Sequence, residues 1–330
     1  MSKMAMSTSI STNVRRLWSL PKAFLAILVI CGIMLFLNTP FYSSFNLVSN
    51  ILTSNSIFLI LAMGETIVLI AGGVDLSIGG IMTVGGIIAI LLINNNIPIP
   101  IAILIVMLVG AVIGAVNAYI SVYQATEPFI VTLGMGVALT GVAQQLTDYR
   151  PISCTNPYFA YLSNYKLFGE IPVLPIVMIA VVIVMFWVLR NTSFGRDCYA
   201  IGGDFEVAKY SGIAVNRIKS MTYVISGITA ALGGIMLSST LNSGNSIYGN
   251  ITALYVVCAL VVGGTSVAGG IGSAVKSLIG ILLLGIITNV FSLIHVDTYL
   301  PYSSQALQGF IIVFIVWLDS YGRKRKREEV

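Results

Sequence analysis

Residues 98–119 read PIPIAILIVMLVGAVIGAVNAY, a run without a single charged side chain. A helix of about 20 apolar residues is long enough to cross the hydrocarbon core of a bilayer. A strand of a membrane barrel would alternate apolar and polar residues, and residues 99–109 do not alternate. The run therefore predicts a membrane-spanning helix.

Similar apolar runs recur along the whole chain of 330 residues. Hydrophobic residues make up 57% of it and charged residues 9%, whereas roughly a quarter of an ordinary soluble domain is charged. We therefore predict an all-α, polytopic membrane helical bundle of about ten transmembrane helices. The candidate helices lie near residues 22–38, 56–72, 78–93, 98–119, 128–145, 172–189, 220–238, 253–266, 276–294 and 305–318.

The chain divides into three predicted parts. Residues 1–21 are interpreted as a disordered cytoplasmic tail, because they are Ser/Thr-rich and lack an apolar period before Arg15. Residues 22–320 form the ten-helix domain. Residues 321–330 form a basic cytoplasmic tail. The first apolar run lacks the small-residue cleavage pattern of a signal peptide and is interpreted as a retained helix.

Basic residues predict the orientation of the chain, because Lys and Arg accumulate on the cytoplasmic side of a membrane. With both termini cytoplasmic, the inside segments hold four in the N-terminal region, five in residues 190–219, Lys276 and five in the C-terminal tail. These are 15 of the 17 basic residues. Only Arg150 and Lys166 fall outside. We therefore predict a multi-pass protein of the inner membrane with both termini inside.

Small residues recur at helical spacing in two of the candidate helices. Gly110, Gly114 and Ala118 repeat every four residues, as do Ala230 and Gly234. Such spacing places small residues on one face, where two helix backbones can approach closely. We interpret the faces as packing inside one subunit; a dedicated dimer face is the alternative.

The chain lacks the residues that most catalytic and metal sites require. Its four cysteines have no close spacing, and His295 is its only histidine. The nearest match to a nucleotide-binding P-loop, residues 272–276, lacks the required spacing. We therefore predict no enzyme activity, no metal, no cofactor and no nucleic-acid partner. ATP hydrolysis would need a separate subunit.

Three polar residues near the second and third candidate helices are candidates for the solute pathway. Glu65 lies within a predicted span, where a carboxylate is costly. It either lines the path of a solute or is a buried, hydrogen-bonded structural acid. Asp75 and Ser77 begin the third helix, where either could cap the first turn. The alternative is a break in the helix that meets a solute, as in transporters with discontinuous helices.

Residues 190–219 contain the signals of a short helix outside the membrane. Asp204 is a good N-cap, Glu206 favours the first turn and Gly212 is a good stop. The sequence therefore predicts a helix over residues 204–211 on the cytoplasmic side. Such a helix is either a contact for a cytoplasmic partner or an ordinary loop helix.

Three segments resemble the permease subunits of the ribose-type, or monosaccharide, ABC importers. They are residues 73–79 (GVDLSIG), residues 192–213 and residues 262–270 (VGGTSVAGG). The resemblance extends over residues 22–320 and implies a permease of the type II ABC importer class that acts as a dimer. It implies cytoplasmic ABC ATPase subunits and a periplasmic or lipid-anchored sugar-binding protein as partners, besides membrane lipid.

Glu65, Asp75 and Ser77 stay the candidates for the translocation pathway. The resemblance adds an expected role for the short helix of residues 204–211, which matches the coupling helix of the family. The residues expected to couple the permease to the ATPase are Arg196, Gly203, Asp204, Glu206, Ala208, Lys209, Ser211 and Gly212. Ala253 and Tyr255 stand where relatives usually carry an acidic pair, so a homodimer and a heterodimer with a second permease both remain open. A secondary transporter or channel for a small polar solute is the alternative function.

Overall fold

A computed structural model describes residues 22–36, 40–43, 45–167, 171–249 and 251–294, together with residues 306, 309, 310 and 313. Most of the predicted tenth helix, residues 305–318, therefore lies outside the described residues, as do both predicted tails and His295. The α-helices are α1 Lys22–Met34, α2 Ser54–Ile70, α3 Ile78–Asn94, α4 Ile99–Ala118, α5 Pro128–Thr147, α6 Pro157–Asn164, α7 Val173–Asn191, α8 Ser193–Gly203, α9 Phe205–Tyr210, α10 Val215–Leu241, α11 Thr252–Gly263 and α12 Ala274–Leu293.

Short irregular elements complete the described part. A 3₁₀ turn covers Pro40–Tyr42, and π-helical segments Asn46–Thr53 and Tyr119–Tyr123 extend α2 and α4. Two-residue strands β1 Ile152–Ser153 and β4 Ser243–Gly244 pair antiparallel, with Ile152 opposite Gly244. Strands β2 Lys166–Leu167 and β3 Ile171–Pro172 also pair antiparallel, with Lys166 opposite Pro172.

The helices of the described residues fit a membrane protein. Six helical segments are long and apolar enough to cross a membrane, and three shorter apolar helices accompany them. Side chains such as Leu104, Val112 and Val137 are apolar yet exposed on the outer helices. A surface of this kind suits lipid rather than water. The prediction of a membrane helical bundle is confirmed, whereas the count of ten spans stays a prediction.

Several predicted helix boundaries were wrong. The helix expected over residues 220–238 is α10, Val215–Leu241. The second helix was expected to begin at residue 56, but helical backbone begins at Asn46. The side chains of its polar first turns satisfy their hydrogen bonds within the helix: Thr53 donates to Val48 O and Asn55 to Ile51 O. The helix expected over residues 253–266 ends at Gly263, because Gly264 adopts a left-handed φ of 98°.

The centre of the bundle is α2, which is buried along almost its whole length and packs against α10, α12 and α7. Helix α10 lies in turn between α2, α3 and α4. The small-residue faces make these approaches possible. A Cβ on Gly110 of α4 would overlap Gly227 O of α10, and a Cβ on Gly234 would overlap Met82 O of α3. These faces therefore pack inside one subunit, as interpreted from the spacing.

The reciprocal approach of Gly110 and Gly227 makes α10 sensitive to a single methyl group. We expect Gly227→Ala to destabilise the protein by about 1–3 kcal/mol, because the new Cβ would overlap a backbone carbonyl oxygen that cannot move alone. Gly141→Ala, at an α5 glycine with open space around it, should stabilise it by about 0.5–1 kcal/mol through helix propensity. Thermal unfolding of the two detergent-purified variants measures both effects. Equal melting temperatures would contradict this packing.

Candidate functional site

The chain reverses direction between α2 and α3 in a turn of residues 71–77, which we name the first glycine turn. Gly72 takes a φ of 73°, a left-handed conformation that favours glycine. The Gly73 amide then bonds to Val68 O at 2.9 Å, which closes the end of α2. This reversal brings Asp75 back beside the body of α2.

Asp75 is the acceptor at the centre of the first glycine turn. Its Oδ1 accepts the Ser77 amide at 3.0 Å and the Ser77 hydroxyl at 2.6 Å. Its Oδ2 accepts the Ser226 hydroxyl of α10 at 2.8 Å. The side chain is fully buried. Asp75 therefore fixes the turn internally and attaches it to α10.

Glu65 lies on α2, and its Oε1 accepts the Asp75 amide at 3.1 Å. Its Oε2 is buried and has no protein donor among the described residues. Glu65 is thus enclosed by protein and does not face lipid. Of the two interpretations offered for Glu65 from the sequence, a buried and hydrogen-bonded structural acid agrees with this placement. The other interpretation, a role along the solute pathway, stays a prediction.

Either Asp75 or Ser77 was expected to cap the first turn of α3. The Ser77 hydroxyl makes no cap hydrogen bond and donates instead to Asp75, whose Oδ1 also accepts the Ser77 amide just before α3. The same hydroxyl accepts Asn117 Nδ2 of α4 at 2.8 Å. Thr132 of α5 accepts the Leu76 amide at 3.0 Å. The turn is therefore held by side chains from four helices.

A second glycine turn, residues 264–273, joins α11 to α12. Gly264, Gly269 and Gly270 all take positive φ values, of 98°, 91° and 72°. The Gly270 amide donates to Ile70 O, the last carbonyl of α2, at 2.9 Å. The two glycine motifs that stand far apart in the sequence therefore meet at the end of α2.

The end of α8 also reaches this meeting point. A Cβ on Gly202 would overlap Ile70 O and crowd the Gly270 amide, and a Cβ on Gly269 would lie 3.0 Å from the Gly72 Cα. The Tyr199 hydroxyl of α8 donates to Gly272 O at 2.9 Å. We name Gly72, Gly202, Gly269 and Gly270 the glycine junction. It joins α8 directly to the backbone ends of α2 and the second glycine turn.

The predicted short helix is present as α9, Phe205–Tyr210. Asp204 Oδ1 accepts the Val207 amide at 3.0 Å, as an N-cap should, and Gly212 leaves the helix with a φ of 82°. The sequence reasoning missed α8. The sequence feature that could have predicted α8 is Thr192, a good N-cap residue. Its hydroxyl oxygen accepts the Gly195 amide at 3.1 Å and caps the helix.

The predicted coupling residues divide by exposure. Ala208 is buried against Ile201 and Val215, so its side chain holds α9 to the neighbouring helices. The exposed members are Arg196, Gly203, Asp204, Glu206, Lys209, Ser211 and Gly212. The sequence reasoning missed three exposed apolar or aromatic residues of α9, namely Phe205, Val207 and Tyr210. The sequence feature that could have identified them is the presence of large apolar side chains in the most polar loop of the chain.

A cleft of about 440 Å³ opens beside α9. Two aromatic residues, Tyr123 and Phe205, and two basic residues, Lys209 and Arg217, contribute to its lining. Apolar rings and positive charges together suit a partner surface that presents acidic and apolar side chains.

Ala253 and Tyr255 occupy packed positions on α11. Ala253 is buried, and the centroid of the Tyr255 ring lies 4.9 Å from that of the Phe58 ring of α2.

Among the described residues, no group of three or more His, Cys, Asp or Glu side chains is placed to hold a metal ion.

Comparison with known proteins gives a consistent result. Residues 47–316 match the model of a family described as the permease component of a branched-chain amino acid transport system. The ribose import permease protein RbsC of Haemophilus influenzae is 34% identical, over 91% of this chain and 93% of its own length. The galactose/methyl galactoside import permease protein MglC of Escherichia coli is 33% identical, over 92% and 95%. The xylose transport system permease protein XylH of the same species is 29% identical, over 92% and 93%. No solved structure matches the chain.

The reactivity of the Cys198 thiol measures whether α8 stays packed against the glycine junction. Burial, with a lesser contribution from the charge of Asp197, raises the pKa of this thiol to about 12. Because the thiolate is the reactive form, we expect Cys198 to resist maleimide at pH values where exposed thiols react. Tyr199→Phe removes a hydrogen bond worth about 1 kcal/mol and should raise the labelling rate about fivefold.

Mass spectrometry of the peptide that contains Cys198 measures this rate. Tyr158→Phe changes an exposed tyrosine of α6 in the same way and is the matched control. Rapid labelling of Cys198 in the unaltered protein would contradict the seating of α8.

Proposed function

The chain belongs to the permease-component family that its residues 47–316 match, and we propose that it forms the membrane pathway of an ATP-driven importer for a monosaccharide. The observation that carries the proposal is the similarity over more than 90% of the chain to proteins named as ribose and galactose import permeases. The family description names branched-chain amino acids, but these full-length relatives carry sugar names, so a sugar is the better-supported solute.

A permease of this class does not hydrolyse ATP, so a separate ATPase must act on its cytoplasmic face. A sugar-binding protein, periplasmic or lipid-anchored, would deliver the solute from outside. In this proposal residues 22–320 form a ten-helix domain of the type II class between two cytoplasmic tails. The domain pairs with a second copy or with a related permease in the inner membrane.

The exposed surface of α9 is the proposed contact for the ATPase. Val207 and Tyr210 expose 60% and 85% of their side chains, although α9 lies outside the apolar spans. Large apolar side chains exposed to water mark surfaces that a partner covers. The neighbouring cleft adds Lys209 and Arg217. Together they favour an ATPase groove with acidic and apolar residues.

The glycine junction is the proposed route from this contact to the pathway helices. Helix α8 connects to α9 through Asp204 alone, and Ala208 packs α9 onto Ile201 of α8. At this same C-terminal end α8 touches the carbonyl of Ile70 through Gly202. A displacement of α9 would therefore reach α2 through backbone contacts, which deform less than long side chains. Allosteric coupling needs a physical element with two positions, and α8 with α9 would be that element.

The function is tested by reconstituting the chain with its ATPase and its binding protein in liposomes. We expect uptake of a labelled pentose or hexose that requires ATP and the binding protein. The labelled solutes to be compared are ribose, galactose, xylose and leucine, so that sugars and an amino acid are measured under the same conditions. Uptake of leucine and of none of the sugars would show that the solute is an amino acid and not a monosaccharide. Uptake by the chain alone, driven by an ion gradient, would support a secondary transporter instead.

The coupling route is tested in the same liposomes with Gly202→Ala. The added methyl group would overlap Ile70 O, so α8 must shift away from α2. We expect ATP hydrolysis to continue while uptake falls at least about tenfold, a coupling loss of about 1.4 kcal/mol or more. Gly141→Ala, far from the junction and with open space around it, is the control. Full uptake with Gly202→Ala would show that the junction transmits nothing.

A further inference from the structure

The two carboxyl groups of the first glycine turn are buried together but receive different numbers of hydrogen bonds. Asp75 accepts three, from the Ser77 amide, the Ser77 hydroxyl and the Ser226 hydroxyl. Glu65 accepts one, from the Asp75 amide on its Oε1. Its Oε2 is buried and has no protein donor among the described residues. The hydrogen-bond donors therefore converge on Asp75.

This asymmetry matters because a buried carboxylate needs donors on both oxygens or a cation beside it. Asp75 has donors on both oxygens. Glu65 has a donor on one. A second negative charge, one backbone amide away from the first, would add repulsion where the dielectric constant is low. A neutral carboxyl at Glu65 avoids both costs and leaves only one O–H group without a protein acceptor, which is a smaller cost.

Other groups around the pair do not compensate a second charge. The Tyr223 phenol of α10 lies against Gly73 of the first glycine turn, and a phenol cannot carry a positive charge that would balance a second carboxylate. The facing side chains of α4 and α5 are the uncharged Asn117 and Thr132. Within the described ranges, neither Glu65 nor Asp75 forms an ion pair with a Lys or Arg.

We propose that Glu65 carries a resident proton on Oε2 at neutral pH, so that the pair holds one negative charge, on Asp75. Oε1 stays available to accept the Asp75 amide. Glu65 is then a positioning residue: as a neutral acid it keeps the amide of Asp75 in place, while ionised Asp75 gathers the donors of Ser77 and Ser226. This inference does not depend on which solute is carried.

Infrared spectroscopy of the reconstituted protein at neutral pH tests the assignment, because an exposed Asp or Glu is ionised there. We expect the carbonyl-stretch band of a protonated carboxyl group. The band should vanish in Glu65→Gln and persist in Asp75→Asn, the same isosteric change on the neighbouring acid. An ionised Glu65 solvated by water would show no such band in the unaltered protein and would overturn the proposal.

Thermal stability gives a second, independent readout. The Gln amide oxygen can accept the Asp75 amide as a neutral carboxyl does, so we expect Glu65→Gln to melt within about 2 °C of the unaltered protein. Asp75→Asn turns an acceptor oxygen towards Ser226 into a donor, and should lower the melting temperature by about 5 °C. Equal losses in the two variants would contradict the assignment.

A further variant keeps the test decisive if Glu65→Gln does not accumulate. Glu65→Asp retains a carboxyl group with a shorter side chain, so its band should shift in frequency. A band that stays unshifted, or one that vanishes in Asp75→Asn, would assign the proton to another residue.

Discussion

The contact between Gly202 and the carbonyl oxygen of Ile70 is the constraint on which the arrangement of α2, α8 and the second glycine turn depends. Only a residue without a Cβ allows the end of α8 to lie on the end of α2. The same carbonyl accepts the Gly270 amide. Three segments, distant in sequence, thus share one backbone group. Helices α8 and α9, with the proposed partner contact on α9, are thereby continuous with the buried helix α2.

Much of this architecture could be predicted from sequence, because the signals are local. Apolar runs of sufficient length predicted the helices, and Asp204 with Gly212 predicted α9 through the chemistry of helix ends. The polar start of the second helix was not predicted. Its Thr53 and Asn55 satisfy their own hydrogen bonds within the helix, and composition alone assigns such residues to a loop.

The geometry of the candidate site could be predicted only in part. Glu65 and Asp75 were identified individually, since a carboxylate in an apolar segment is conspicuous. Their contact was not, because it depends on the reversal at Gly72 and on Ser226, 151 residues further along the chain. The role of Gly202 was likewise hidden, since one glycine among 32 gives no local sign of what approaches it.

The central claim is that α8, α9 and the second glycine turn move as one body when the ATPase acts. Spin labels at Ser211 and Val267, which are both exposed, report the distance across the glycine junction in the assembled importer. Labels at Ser211 and Tyr158 report the distance from α9 to α6. We expect ATP binding to change the second distance and to leave the first unchanged. A change in the first distance would show that α9 moves relative to the second glycine turn, and would contradict the account. A constant second distance would show that α9 does not move relative to α6, and would contradict it as well.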